Sequence, residues 1–286
     1  MIQNELEKFV QNNPSLKHKN YIRVSAVILD AKNGDMLASA IYPLPDQDML
    51  SEMTDRELNV YSDNNRKADW TAYSDMDLGL MYETAPGSTA KMLTAMAGLK
   101  QYGRNIVNTT IYIDPKEIIR VNEPDGYLNM AHALMHSSNP YFIHLLNSRE
   151  LYEPLVNIYS TIGCDIDNID PKYLQDNDRS LWKEGALELT KGAVKRYERY
   201  MESDERMKLN NGRFPTCWAW AWGQGGANSL KASPLAMARG ISIAANGGQI
   251  AQTKYVMDGN KTVKTTQVLE RSAALELKKM LNNNVY

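Results

Sequence analysis

The chain has 286 residues, of which 43% are hydrophobic, and this is enough to bury the core of one large domain. Its formal net charge is −2, and this balance argues against the electrostatic steering of nucleic acids and against an acidic tail. No apolar run approaches the roughly 18 residues of a transmembrane helix, and the polar first residues are not a signal peptide.

The first predicted elements are a helix and a β-hairpin. Apolar residues recur at helical spacing over residues 2–12, which predicts a short amphipathic helix. Two β-branched and apolar runs, YIRVSAVILD and DMLASAIYP, flank Asn33-Gly34, a dipeptide typical of tight turns. We therefore expect an antiparallel hairpin over residues 21–43, followed by an irregular polar stretch over residues 46–76.

The next region, residues 88–163, is predicted to be mostly helical. One helix begins at Ser88, carries a single apolar stripe and ends at Gly103. Three more helices follow between residues 129 and 163, and the polar sequence Ser137-Ser138-Asn139 separates the first of them from the second.

The rest of the chain carries fewer clear signals. Residues 164–215 are charged and weakly patterned, which indicates a variable insertion with one helix near 184–206. In residues 216–286, Ser233-Pro234 predicts a helix start, because serine caps a helix and proline suits its first turn. A strand pair around Asp258-Gly259 and a last amphipathic helix follow. Because strands come first and helices dominate the middle, the predicted fold class is α+β with an all-helical sub-domain.

The sequence PGSTAK contains a candidate nucleophile and base. A serine hydroxyl is a poor nucleophile at neutral pH and needs a base beside it. Ser88 and Lys91 are three residues apart at a predicted helix start, so their side chains share one face and can meet. The helix N-terminus also offers N–H groups to an oxyanion forming at Ser88. Lys91 can act as a base only when neutral, a state that burial favours.

A second candidate group is Ser137-Ser138-Asn139, at the helix break. Each group alone has a simpler structural explanation, namely a capping serine with a solvated lysine, and a cap cluster before Pro140. We give no catalytic weight to similar sequences at Ser180 to Lys183 and at Ser62-Asp63-Asn64. Together and in this order, however, the two groups match two of the three elements shared by serine β-lactamases and penicillin-binding proteins.

The resemblance extends along nearly the whole chain. IQNELEKFV resembles the opening helix of the transpeptidase domain of class B penicillin-binding proteins, AVILDAKNGDMLASAIYP their first hairpin, and YETAPGSTAK their nucleophile motif. ALMHSSNPYF resembles their Ser-x-Asn motif, and WGQG with ASPLAMARGISIAANGG resembles their Gly-Gln-Gly and Ala-Asn-Gly-Gly segments. The resemblance implies a penicillin-binding, β-lactamase-like fold, in which helices flank an antiparallel sheet and an all-helical sub-domain covers the cleft.

The resemblance also implies an activity. The chain is expected to be a D,D-transpeptidase that cross-links peptidoglycan stem peptides through a serine acyl-enzyme, and β-lactams would acylate the same serine. Ser88 would attack the penultimate D-Ala carbonyl and Lys91 would take its proton. Ser137 would relay a proton to the leaving D-Ala, and Asn139 would bind the substrate amide. No cofactor and no metal are expected.

The third motif of the family, Lys-Thr-Gly, does not occur in the sequence. Lys261-Thr262-Val263 and Lys264-Thr265-Thr266 are similar but come too early. The family's motif follows the helix that matches Ala273–Leu281, so the resemblance predicts a domain truncated before it. We then expect only the first strands of the sheet, an exposed sheet edge, and a fragment that is inactive alone.

Two alternatives stay open at this point. One is a serine β-lactamase or β-lactam sensor, and the other is a non-catalytic scaffold of the same fold. For a transpeptidase, the resemblance implies the periplasmic face of the inner membrane, with an anchor outside this chain. Its expected partners are stem peptides, β-lactams as inhibitors and a wall-synthesis complex with a lipid II polymerase, in cell shape or division. No nucleic-acid partner is expected.

Overall fold

The structure is a computed structural model that describes most of the predicted elements. The described residues are 1–13, 24–42, 79–80, 84–118, 123–149, 151–164, 219–223, 230–255 and 263–282. Several predictions fall outside them, namely the irregular stretch 46–76, the helix near 184–206, nearly all of the insertion 164–215, and the similar sequences at 62–64 and 180–183.

The chain opens with helix α1 (Ile2–Asn12), which packs on a β-hairpin. The hairpin joins β1 (Val24–Leu29) to β2 (Met36–Tyr42) in antiparallel register, as the sequence predicts. Gly34 in the turn has φ of 79°, and a Cβ there would lie 2.1 Å from the carbonyl oxygen of Gln252. Only glycine therefore suits this turn.

Backbone groups of β2 also bond outside the hairpin. The Gln3 side chain donates from Nε2 to the Ile41 carbonyl at 2.8 Å and accepts the Ile41 N–H on Oε1 at 3.2 Å. Near the other end of the strand, the Met36 N–H donates to the Lys254 carbonyl at 2.9 Å. These contacts cover part of the outer edge of β2.

A second hairpin, which the sequence did not reveal, joins β3 (Ile111–Ile113) and β4 (Gly126–Leu128). Tyr112 and Tyr127 lie opposite each other on its exposed face, with their ring centroids 5.1 Å apart. Strands of three residues show too few alternations for a period-two pattern to be recognised.

Helix α2 (Ala90–Tyr102) lies at the centre of the hydrophobic core. Every residue from Ala90 to Leu99 is buried, so this helix is buried on all faces and not only along the predicted stripe. Gly103, with φ of 67°, ends it as predicted. Helices that pack against it are α3 (Met130–Met135), α4 (Asn139–Ser148), α5 (Tyr152–Ile162), α6 (Ala219–Trp222) and, near the end of the chain, α8 (Arg271–Asn282).

The last part of the described chain holds the predicted capped helix and strand pair. Helix α7 (Pro234–Ala245) packs on β1, and the Ser233 hydroxyl accepts the N–H of Ala236 at 3.1 Å, so the predicted cap is confirmed. Strands β5 (Gln249–Ala251) and β6 (Thr265–Gln267) form the predicted antiparallel pair. Short antiparallel sheets with flanking helices confirm the predicted α+β class.

Candidate active site

The nucleophile turn, Gly87–Thr89, carries the candidate nucleophile Ser88 and leads into the central helix. Residues Gly87–Thr89 form one 3₁₀ turn, and the α-helix begins at Ala90. The predicted helix start at Ser88 is therefore two residues early, because the first turn is wound more tightly than an α-helix. Gly87 has φ of 61°, and Ser88 is an exposed residue. A buried helix thus presents an exposed serine at its N-terminal end.

Lys91 lies one turn further along and is buried, with 1% of its surface exposed. Its Nζ lies 3.1 Å from Ser88 Oγ, so the predicted meeting of hydroxyl and amine is present. The same nitrogen lies 2.8 Å from Ser137 Oγ and also donates to the Ser137 carbonyl. The buried amine therefore lies in contact with three oxygen atoms, one from Ser88 and two from Ser137.

The second motif forms a sharp corner between α3 and α4. Ser137 has φ of 52°, the single non-glycine residue with a positive φ in the part of the chain that the structure describes. Such a conformation costs roughly 1–2 kcal/mol for a residue with a Cβ. It turns both Ser137 oxygens toward Lys91. Ser138 and Asn139 follow as buried residues, and Asn139 is the first residue of α4.

A third segment, around α6, supports the nucleophile turn from the other side. The Gly87 N–H donates to the Gly223 carbonyl at 2.8 Å, and the Thr94 hydroxyl donates to the Ala221 carbonyl at 3.0 Å. A Cβ on Gly223 would lie 2.3 Å from Gly87 O and 2.6 Å from the Cβ of Ala90. The first glycine of the WGQG sequence is therefore required by this close approach of two backbones.

Around the site, burial is the main cause of the perturbed titrations. Burial raises the pKa of Tyr141 far above its ordinary value, and the charge of Arg149 acts in the opposite direction. The Tyr141 hydroxyl donates to the Thr109 carbonyl at 3.0 Å. This bond ties α4 to the segment before β3. His144, also on α4, lies 2.9 Å from Glu117. No group of three or more metal-ligating side chains is found among the described residues.

The structure thus brings three of the four predicted site residues into direct contact: Ser88, Lys91 and Ser137. Asn139 lies two residues after Ser137, and its backbone N–H donates to the carboxylate of Glu123 at 3.0 Å. Sequence reasoning missed Glu123 and the supporting role of Gly223. The family-like WGQG sequence could have indicated Gly223, whereas no local pattern indicates Glu123.

The chain is similar to known proteins both in sequence pattern and in fold. The family model of the penicillin binding protein transpeptidase domain matches residues 24–286. No curated protein matches the chain. Among solved structures, the apo TP domain of penicillin-binding protein 3 from Burkholderia pseudomallei is similar, with 16% identity and a TM-score of 0.58. The alignment covers all of this chain and 68% of that one. At this identity the likeness concerns the fold, and it confirms the predicted fold class.

Proposed function

Because the chain belongs to the penicillin-binding protein transpeptidase domain family, we propose that it is a serine D,D-transpeptidase that cross-links peptidoglycan stem peptides. Ser88 is the proposed nucleophile and Lys91 the proposed base. The observation that carries the proposal is the 3.1 Å contact between the hydroxyl of an exposed serine and a buried amine at the start of the central helix. A nucleophile within hydrogen-bond reach of its base is the usual signature of covalent catalysis.

The contacts of Lys91 Nζ suit both charge states that the reaction needs. A neutral amine has two N–H groups and one lone pair. The two Ser137 oxygens can accept the N–H groups, which leaves the lone pair for the Ser88 hydroxyl proton. As Oγ bonds to the penultimate D-Ala carbonyl carbon, this proton passes to Nζ. The ammonium that results has three donors and keeps all three contacts.

Ser137 is the proposed proton relay to the leaving group. When the tetrahedral intermediate collapses, the C–N bond breaks and the departing D-Ala nitrogen needs a proton. Ser137 Oγ gives up its proton to this nitrogen and receives one from Nζ, which lies 2.8 Å away. The amine of a second stem peptide then attacks the Ser88 ester, its proton passes back through Lys91 to Ser88 Oγ, and the cross-link forms.

Asn139 is the proposed substrate-binding residue, through hydrogen bonds from its side-chain amide to the substrate backbone. It stands at the end of the same corner as Ser137, so its position depends on how firmly that corner is held. A β-lactam would enter in the same way. Attack by Ser88 would open the four-membered amide ring, and the acyl group would stay on the serine.

Penicillin-binding protein transpeptidase domains are extracytoplasmic enzymes of the cell wall. We place this chain at the periplasmic face of the inner membrane, held by an anchor outside the sequence. There it would act with a lipid II polymerase in cell shape or in cell division. No helix in the described part of the chain has the length and apolar character needed to cross a membrane.

The proposal is tested by product analysis with the intact gene product. A stem pentapeptide and an acceptor amine are supplied, and released D-Ala and cross-linked peptide are measured by mass spectrometry. We expect both products from the wild type and from Ser180→Ala, which alters the second Ser-x-x-Lys sequence, and neither product from Ser88→Ala. Rapid hydrolysis of a chromogenic β-lactam without cross-linking would indicate a β-lactamase. A folded wild type with no products and no penicillin adduct would indicate a scaffold.

A further inference from the structure

One buried carboxylate beside the site takes no part in the proposed reaction. Among the described Lys, Arg, Asp and Glu residues, two are buried, Lys91 and Glu123, and Glu123 is 6% exposed. Burial of a charged group is costly unless specific hydrogen bonds compensate it. The position of Glu123 therefore calls for a physical explanation.

Glu123 contacts the second motif, Ser137-Ser138-Asn139. Its Oε1 accepts the backbone N–H of Asn139 at 3.0 Å, across 16 residues of sequence. Asn139 is the first residue of α4, and the first N–H groups of a helix have no partner within the helix. The local cap is weak, because Ser138 Oγ accepts the Tyr141 N–H at a long 3.4 Å. Glu123 thus supplies a charged acceptor at the positive end of α4.

The corner at Ser137 needs support from both ends. Its positive φ is unfavourable for a serine, so surrounding contacts must hold it in place. Lys91 holds the Ser137 end through two oxygens, and Glu123 holds the Asn139 end through the backbone. Ser138, between them, is completely buried. A release of either end would let the corner relax and move Ser137 Oγ away from the amine.

We propose that Glu123 is a positioning residue for the second motif. It acts through the backbone of Asn139 to keep the Ser137 hydroxyl within reach of Lys91, and it does not touch the substrate. This inference rests on the proposed function, because its effect is read as the rate of acylation at Ser88.

The experiment measures acylation of the intact gene product by a fluorescent penicillin. Stopped-flow mixing separates the dissociation constant of the first complex from the acylation rate constant. Glu123→Met keeps the length of the side chain and removes the acceptor, whereas Glu123→Gln keeps an oxygen acceptor without the charge. Glu117→Met is the matched control, because Glu117 also accepts a backbone N–H, that of Asp114, and also contacts α4.

We expect Glu123→Met to lower the acylation rate constant about 10- to 100-fold, as loss of a hydrogen bond to a charged group suggests. Glu123→Gln should lower it several-fold, and Glu117→Met should leave it unchanged. The dissociation constant should change little in all three. In a Ser137→Ala background, Glu123→Met should lower the acylation rate constant by a smaller factor than in the wild type, because both changes act on one corner.

Wild-type acylation rate constants in folded Glu123→Met and Glu123→Gln would overturn the inference, even if both variants were less stable. If Glu123→Met does not fold, Glu123→Gln decides the question, since a several-fold loss supports positioning and a wild-type rate overturns it. Failure of the wild type itself to form an adduct would instead overturn the proposed function.

Discussion

Replacement of Gly223 by alanine should displace the turn that carries Ser88. The new Cβ would lie 2.3 Å from Gly87 O, 2.6 Å from the Ala90 Cβ and 3.0 Å from Gly87 N. The first two distances are shorter than real Cβ contacts and the third is tighter than most, and two of the three partners are backbone atoms that no side-chain rotation can move. The 2.8 Å bond from Gly87 to Gly223 would then lengthen or break.

The magnitude follows from two separate costs. Gly223 has φ of 68°, and a Cβ in this region costs roughly 1–2 kcal/mol. Overpacking of a tight contact adds about 1–3 kcal/mol. Gly126→Ala separates the two costs, because Gly126 has a similar φ of 77° and nothing within 4 Å of its Cβ position. Gly126→Ala should therefore lose only the roughly 1–2 kcal/mol of stability that the positive φ costs.

Urea unfolding of both variants gives the free energies, and the rate of labelling by fluorescent penicillin reports the nucleophile turn. We expect the free energy of unfolding to fall by roughly 1–3 kcal/mol more in Gly223→Ala than in Gly126→Ala. We also expect fluorescent penicillin to label Gly223→Ala more slowly than Gly126→Ala. Equal free energies of unfolding together with equal labelling rates would refute the idea that Gly223 is required by the approach of the two backbones.

Three further predictions concern stability and are checked by urea unfolding. Tyr141→Phe should lower the free energy of unfolding by about 1 kcal/mol, because the Tyr141 hydroxyl donates to a carbonyl. Tyr159→Phe should raise it by about 1 kcal/mol, because the buried Tyr159 hydroxyl has no partner among the described residues. A lower free energy of unfolding in both variants would contradict this. Ser137→Gly should be more stable than Ser137→Ala by about 1 kcal/mol, because both variants lack Oγ and only alanine is strained at φ of 52°. Equal stability of the two variants would count against that strain. Gln3→Ala should lower the free energy of unfolding by about 1–2 kcal/mol, because it removes two hydrogen bonds to β2. The control Gln11→Ala, at an exposed position, should change it by no more than about 0.5 kcal/mol. Equal effects would rule out a role of Gln3 at the strand edge.

The local parts of the site could be predicted from the sequence. Ser88 and Lys91 are three residues apart, and one helical turn brings such a pair together whatever surrounds it. The capped start of α7 and the turn of the first hairpin are local in the same sense, because the backbone conformation at each depends on a few neighbouring residues. For these features the sequence pattern and the structure agree.

The non-local parts could not be predicted from spacing. Ser137 meets Lys91 across 46 residues, and only the family resemblance suggested that the two belong together. The contact between Glu123 and Asn139 depends on where a loop before β4 passes the start of α4, and no periodicity encodes that. The strands β3 and β4 are too short to show a pattern. Packing of distant segments therefore decides these features.

The central claim is that Ser88 is the nucleophile and Lys91 its base. The most direct measurement is peptide mapping by mass spectrometry of the intact gene product after reaction with a penicillin. We expect one adduct, on the peptide that contains Ser88, and a rate of adduct formation lowered by at least about 100-fold in Lys91→Met. An adduct on another residue, or an unchanged rate in folded Lys91→Met, would contradict the account.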